Sequence, residues 1–171
     1  MNATAQRLFD LAHMITTTPW PTTPEERAQW SARVGLPSCG EQMGDSDHQL
    51  AFMAPSDGGR AFWDFAPTGH LTHVSVILET FDPTASDSLR IDAEALRASL
   101  DQAWAQVDSD TKGASWRTEW HVGPIDIEVY WSDPSRDEPP VEAALHMAFS
   151  QNETTDAHLT NPRQATSTTD T

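Results

Sequence analysis

Residues 116–131, WRTEWHVGPIDIEVYW, alternate apolar and polar on both sides of a Gly-Pro break. That alternation leaves the stretch very little conformational choice. Trp116, Thr118, Trp120 and Val122 fall on one face, while Arg117, Glu119 and His121 fall on the other. Beyond Gly123-Pro124 the pattern resumes, with Ile125, Ile127, Val129 and Trp131 set against Asp126, Glu128 and Tyr130. Side chains alternate with period two along a strand, so the segment reads as a half-buried β-hairpin. A two-residue link pairs Val122 with Ile125, Trp120 with Ile127, Thr118 with Val129 and Trp116 with Trp131. A slip of one residue would turn three tryptophans into water, which fixes the register. The same register sets His121 across from Asp126, Glu119 across from Glu128 and Arg117 across from Tyr130.

Other segments are read in the same way. Residues 3–15 place Leu8, Leu11, Ala12 and Ile15 on one helical stripe, with Phe9 beside it. Thr23-Pro24-Glu25-Glu26 has the form of a capping box and opens a second helix, which Gly35 closes near Val34. Trp30 and Val34 of that helix should face the core. Three strands are expected at residues 49–54, 60–66 and 70–81, joined by Ser56-Asp57-Gly58-Gly59 and Pro67-Thr68-Gly69 into a meander. Residues 82–88 read as a polar connection. Asp92 then reads as the cap of a helix running to about Val107, with Leu96, Leu100, Ala103 and Val107 on its stripe and Trp104 beside them. Pro139-Pro140 reads as the start of a last helix carrying Val141, Ala144, Leu145 and Ala148. Residues 151–171 hold one large apolar side chain, Leu159, and are expected to be a disordered polar tail.

The expected fold is therefore α+β. It has an antiparallel sheet of about five strands with helices on one face, in the order α-α-β-β-β-α-β-β-α, as a single domain over residues 1–150. The seven tryptophans lie almost wholly within these elements and are read as core. This order of elements is similar to the type III secretion chaperone-like fold. The segments GRAFWDFAPTGHLTHVSVILE and WRTEWHVGPIDIEVYWSDP also resemble small uncharacterised actinobacterial domains of immunity-protein type, several of which accompany secreted or polymorphic toxins. The resemblance implies a protein-binding role, with a toxin or secreted protein as the partner.

Charge narrows the functional classes. The 171 residues carry 26 acidic and 10 basic side chains, a formal charge of −16. That balance repels phosphate backbones and anionic membranes and favours a basic protein partner. No nucleic-acid or membrane partner is expected, and a homodimer is left open. Cys39 is the only cysteine, so neither an internal disulfide nor a thiolate zinc site can form. No leader or membrane-length apolar run is evident, and a cytoplasmic location is expected.

Several patterns suggest chemistry and are better read otherwise. His70 and His73 are three apart, so on a strand they point to opposite faces and cannot share an ion. The loop GDSDH at 44–48 lacks calcium-loop spacing, and Asp57-Gly58-Gly59 precedes no helix that could bind phosphate. His121 opposite Asp126 could form a carboxylate–imidazole pair of the general-base type. Glu119 opposite Glu128 is unfavourable as it stands, because like charges across a ladder repel. Such a pair calls for a cation: a metal ion, an arginine of this chain or a partner's basic residue. The hairpin shows no nucleophile and no oxyanion device.

Glu119, His121, Asp126, Glu128 and Tyr130 are therefore read as a partner-binding face, with no catalytic residues, no metal and no cofactor. A metal-dependent or His-carboxylate hydrolase is the enzyme alternative, and a structural subunit of a homo-oligomer is the third reading. A chain ending at Ser150 should keep its melting temperature within error, since the tail buries almost nothing. A drop of several degrees in a thermal melt would show that the tail packs.

Overall fold

The computed structural model describes residues 3–36, 41–42, 48–52, 59–66, 70–80, 82–132 and 143–151. It is an α+β fold built on one antiparallel sheet. Helices α1 (Ala3–Thr17), α2 (Arg27–Val34) and α3 (Pro83–Ala103) accompany strands β1 (Glu41–Gln42), β2 (His48–Phe52), β3 (Gly59–Phe65) and β4 (Leu71–Thr80). Strands β5 (Gln106–Lys112), β6 (Ser115–Val122), β7 (Ile125–Ser132) and β8 (Ala143–Gln151) complete it. The eight strands lie in the order β1-β2-β3-β4-β8-β7-β6-β5. Six of them, β3 to β8, form the body of the sheet.

The hairpin has the register that its alternation demands. Trp116 pairs with Trp131, Thr118 with Val129, Trp120 with Ile127 and Val122 with Ile125. Gly123 takes a φ of 62°, the positive value that a two-residue hairpin turn favours at its first central position. The expected meander is also present as β2, β3 and β4, each antiparallel to the next.

One sheet face is apolar and faces the helices. Ala61 and Trp63, then Val74, Val76 and Leu78, then Leu145, Met147 and Phe149 are buried there, together with Trp116, Trp120, Ile127, Val129 and Trp131. Leu89, Ala93, Leu96 and Leu100 of α3 belong to the same cluster, as do Leu8, Leu11 and Ile15 of α1. The buried Trp120 donates its indole N–H to Asp101 of α3 at 3.0 Å. Arg97 of α3 lies over the Trp116 ring, 5.0 Å from its centroid. Phe9 stacks on Trp104, and Trp20 meets Trp30 edge-on. Trp30 and Val34 are buried as expected, and Gly35 ends α2 in the left-handed conformation.

Several expectations are corrected. The closing helix over Val141, Ala144, Leu145 and Ala148 is strand β8 from residue 143 onward, bonded to β4 on one side and β7 on the other. Ala143, Leu145, Met147 and Phe149 are buried at period two. Their helix-forming residue types yield to ladder bonds on both flanks. The sheet accordingly has more strands than the five expected, and the expected order of elements ends in a strand.

Helix α3 begins at Pro83, so residues 83–88 are helix, and Asp92 lies inside it rather than at its cap. Asp92 is buried, and desolvation raises its carboxyl above the ordinary range against a hydrogen bond to Thr4 that lowers it. Ala103 and Val107 are exposed because the helix ends at 103 and β5 begins at 106. Finally, Glu26 accepts from the backbone N–H of Thr22 at 2.8 Å and from its hydroxyl, one residue earlier than the capping box placed it.

The tail from residue 152, the turns at 56–58 and 67–69, Pro139-Pro140, Cys39 and residues 44–47 lie outside the described residues. No described helix is long and apolar enough to cross a membrane. Changing Trp120 to Ala should cost about 3–5 kcal/mol, the usual penalty for emptying a buried aromatic site. Urea denaturation would measure it, and a variant as stable as the parent would contradict this burial.

Candidate functional site: the acidic face of the sheet

The second sheet face carries the polar side chains of β6 and β7, and the cross-strand registers arrange it in rows. One row runs Asp64, His73, Ser150, Asp126, His121. The next runs Phe62, Ser75, Ala148, Glu128, Glu119, Asp108. A third runs Arg60, Ile77, His146, Tyr130, Arg117, Asp110. All five candidate residues of the hairpin thus share one surface, as the alternation required. Strand β5 extends it with Asp108 and Asp110, both exposed.

Glu119 and Glu128 face each other, and the cation between them is Arg117 of this chain. Its Nε donates to Glu128 Oε2 at 2.6 Å, and a terminal nitrogen donates to Glu119 Oε2 at 3.1 Å. Its other terminal nitrogen reaches Asp108 at 3.4 Å. The hydrogen bond to Glu128, aided by the three negative charges, holds the guanidinium above its ordinary range. Three carboxylates around one arginine leave the cluster with a net negative charge. Arg60 is likewise engaged, by Glu79.

Beside this cluster, His121 Nδ1 lies 2.5 Å from Asp126 Oδ1, realising the carboxylate–imidazole pair. Tyr130 is 38 % exposed, one of few large hydrophobic side chains in water among the described residues. The middle of the face is closed. Ser75 and Ala148 are buried, and Ser75 Oγ is 2.7 Å from His73 Nε2. His73, which the spacing had separated from His70, thus has a hydroxyl partner on its own strand. His146 Nε2 is buried without a hydrogen-bond partner. Burial, opposed by Glu128 and reinforced by His73, pushes its imidazole below the ordinary range.

Asp108, Asp110 and His146 escaped the sequence reading. Strand β5, QVDSDTK, is exposed along its whole length, so it has no buried alternation to reveal it. His146 sat in the segment read as a helix. Compared with protein-family models, curated proteins and solved structures, the chain matches none.

A histidine whose folded-state value lies below its unfolded value binds protons more weakly when folded. Its contribution to stability is complete above the unfolded value of about 6.5 and is lost as pH falls through the lower folded value. Stability should therefore decline as pH is lowered from 7 through 6, and His146→Gln should flatten that decline. Chemical denaturation at several pH values tests this, and an identical pH dependence in parent and variant would contradict it.

Proposed function

We propose that this domain acts without catalysis, as a binding module of immunity-protein or secretion-chaperone type that occludes a basic protein partner. One observation carries the reading: the sheet face opposite the buried tryptophans gathers Asp108, Asp110, Glu119, Asp126 and Glu128, while Arg117 is already held by three carboxylates. The net negative charge that remains on this face suits it to steer a basic surface into contact. Tyr130, an exposed aromatic amid this charge, is the natural anchor, because aromatic side chains supply much of the affinity in such interfaces. The partner-binding set is then Glu119, His121, Asp126, Glu128 and Tyr130, enlarged by Asp108 and Asp110.

A hydrolase using His121 and Asp126 is the second reading, favoured by the 2.5 Å contact between them. It requires loss of turnover in His121→Ala with partner binding preserved, since a general acid–base group is worth about 10²–10⁴ in rate.

The docking reading is tested by capturing partners from the native host with the parent protein, identifying the basic protein retained, and measuring binding across a salt series. Asp108→Lys combined with Asp110→Lys should leave the circular dichroism unchanged, slow association and reduce the salt dependence. Exposed charge attraction is screened over roughly 8–10 Å at ordinary ionic strength. Tyr130→Ala should weaken binding by about 1–2 kcal/mol or more, chiefly through faster dissociation. Unchanged affinity and salt slope in these folded variants would remove this face from the interface.

A further inference from the structure

The structure assigns a second capacity to the hairpin: we propose that Glu119, His121 and Asp126 form a binding site for a first-row divalent transition metal of the zinc class. The inference stands independently of the docking reading. Each residue offers one donor atom, and the three atoms lie within 4.8 Å of one another. Their placement follows from the backbone. Glu119 and His121 are two apart on one strand and so share a face, while Asp126 pairs directly with His121 across the turn. No loop has to close to bring the donors together.

The distances suit an ion of this size. Ligands at about 2.0–2.2 Å in a tetrahedral shell stand about 3.3 Å apart. His121 Nδ1 and Asp126 Oδ1 are 2.5 Å apart and must open by about 0.8 Å, while the Glu119 donor oxygen, within 4.8 Å of both, has at most about 1.5 Å to close. Rotation about side-chain bonds accommodates both. The remaining position faces water, since the His121 side chain is 44 % exposed.

Charge and donor type agree with this assignment. A neutral imidazole and two carboxylates present two negative charges to a doubly charged ion. One nitrogen with two oxygens suits zinc, cobalt or nickel better than magnesium, which prefers an all-oxygen octahedron. Arg117 supplies the outer support. It holds Glu119 by Oε2 at 3.1 Å, and the carboxylate has a second oxygen to offer. The guanidinium charge is offset by Glu128 and Asp108, so it need not repel the ion. Hydrogen bonds that orient a ligand in this way are a usual part of metal sites.

The test uses the full chain, stripped with chelator and then titrated with zinc chloride by calorimetry and with cobalt chloride by visible absorption. One saturating equivalent is expected, with the d–d absorption of protein-bound cobalt. His121→Ala and Asp126→Asn, each with unchanged circular dichroism, should weaken zinc binding by at least about tenfold, as loss of a ligand costs no less than loss of its outer support. His13→Ala, on exposed helix surface, should bind as the parent does. Absence of saturable binding in the parent, or parent-like affinity in both site variants, overturns the assignment. Partner binding measured in chelator separates this result from the docking reading, because docking there does not depend on the ion.

Discussion

Everything in this fold depends on the ladder bonds that β8 makes on its two flanks. Strands β1 to β4 form a meander and β5 to β7 a three-stranded unit, and without β8 each would end in an unpaired edge, at β4 and at β7. Strand β8 pairs with β4 from Thr80↔Ala143 to His73↔Ser150 and with β7 from Ser132↔Ala144 to Ile125↔Gln151. It closes both edges at once and joins two units into one sheet. It also brings Leu145, Met147 and Phe149 to the floor on which α3 rests. The last described strand therefore completes the sheet between elements far apart in sequence, a contact pattern associated with slow folding.

The hairpin could be read from sequence because two independent constraints agree there: alternation on each strand and a Gly-Pro break of the right length. Strand β8 could not, because AALHMAFS satisfies both periods. Ala144, Leu145 and Ala148 fit helical spacing, while Ala143, Leu145, Met147 and Phe149 fit a strand. Local propensity favoured the helix, and pairing with β4 and β7 decided for the strand. The start of α3 was hidden for a related reason. Residues 83–88, PTASDS, are polar and poor helix formers, and they become helical as the first turns of a helix whose Leu89, Ala93, Leu96 and Leu100 are held in the core. Trp120 could be placed in the core from sequence, but its acceptor, Asp101, could not. That bond requires knowing how α3 crosses the sheet. Trp63 and Trp131 have no such acceptor for their indole nitrogens among the described residues, which makes the Trp120–Asp101 bond the more valuable in fixing α3.

The acidic face shows how register and charge cooperate. Glu119 and Glu128 would repel if left alone. Arg117 lies diagonally across the ladder from Glu128 and two residues before Glu119, within reach of both. Exposed ion pairs of this kind contribute little each, about 0–1 kcal/mol, so Arg117 is better understood as keeping the two carboxylates ordered than as holding the sheet together. That order would lower the cost of binding either a partner or an ion, since side chains already restrained lose less freedom when a ligand arrives.

The same charges also govern what the sheet does not do. Among the described residues, strand β5 is an edge of the sheet seven residues long, and such an edge invites pairing with another strand. Here the ladder is irregular between Gln106 and Asp108, and Lys112 ends the strand. Asp108 and Asp110 add the strongest deterrent. If two copies paired antiparallel about Ser109, Asp108 of one would lie opposite Asp110 of the other, a like-charge juxtaposition that a ladder disfavours. A strand bearing lysine or arginine would meet the opposite sign. The alternation that puts Asp108 and Asp110 beside the carboxylates of the hairpin thus also disfavours pairing of this edge with its own copy.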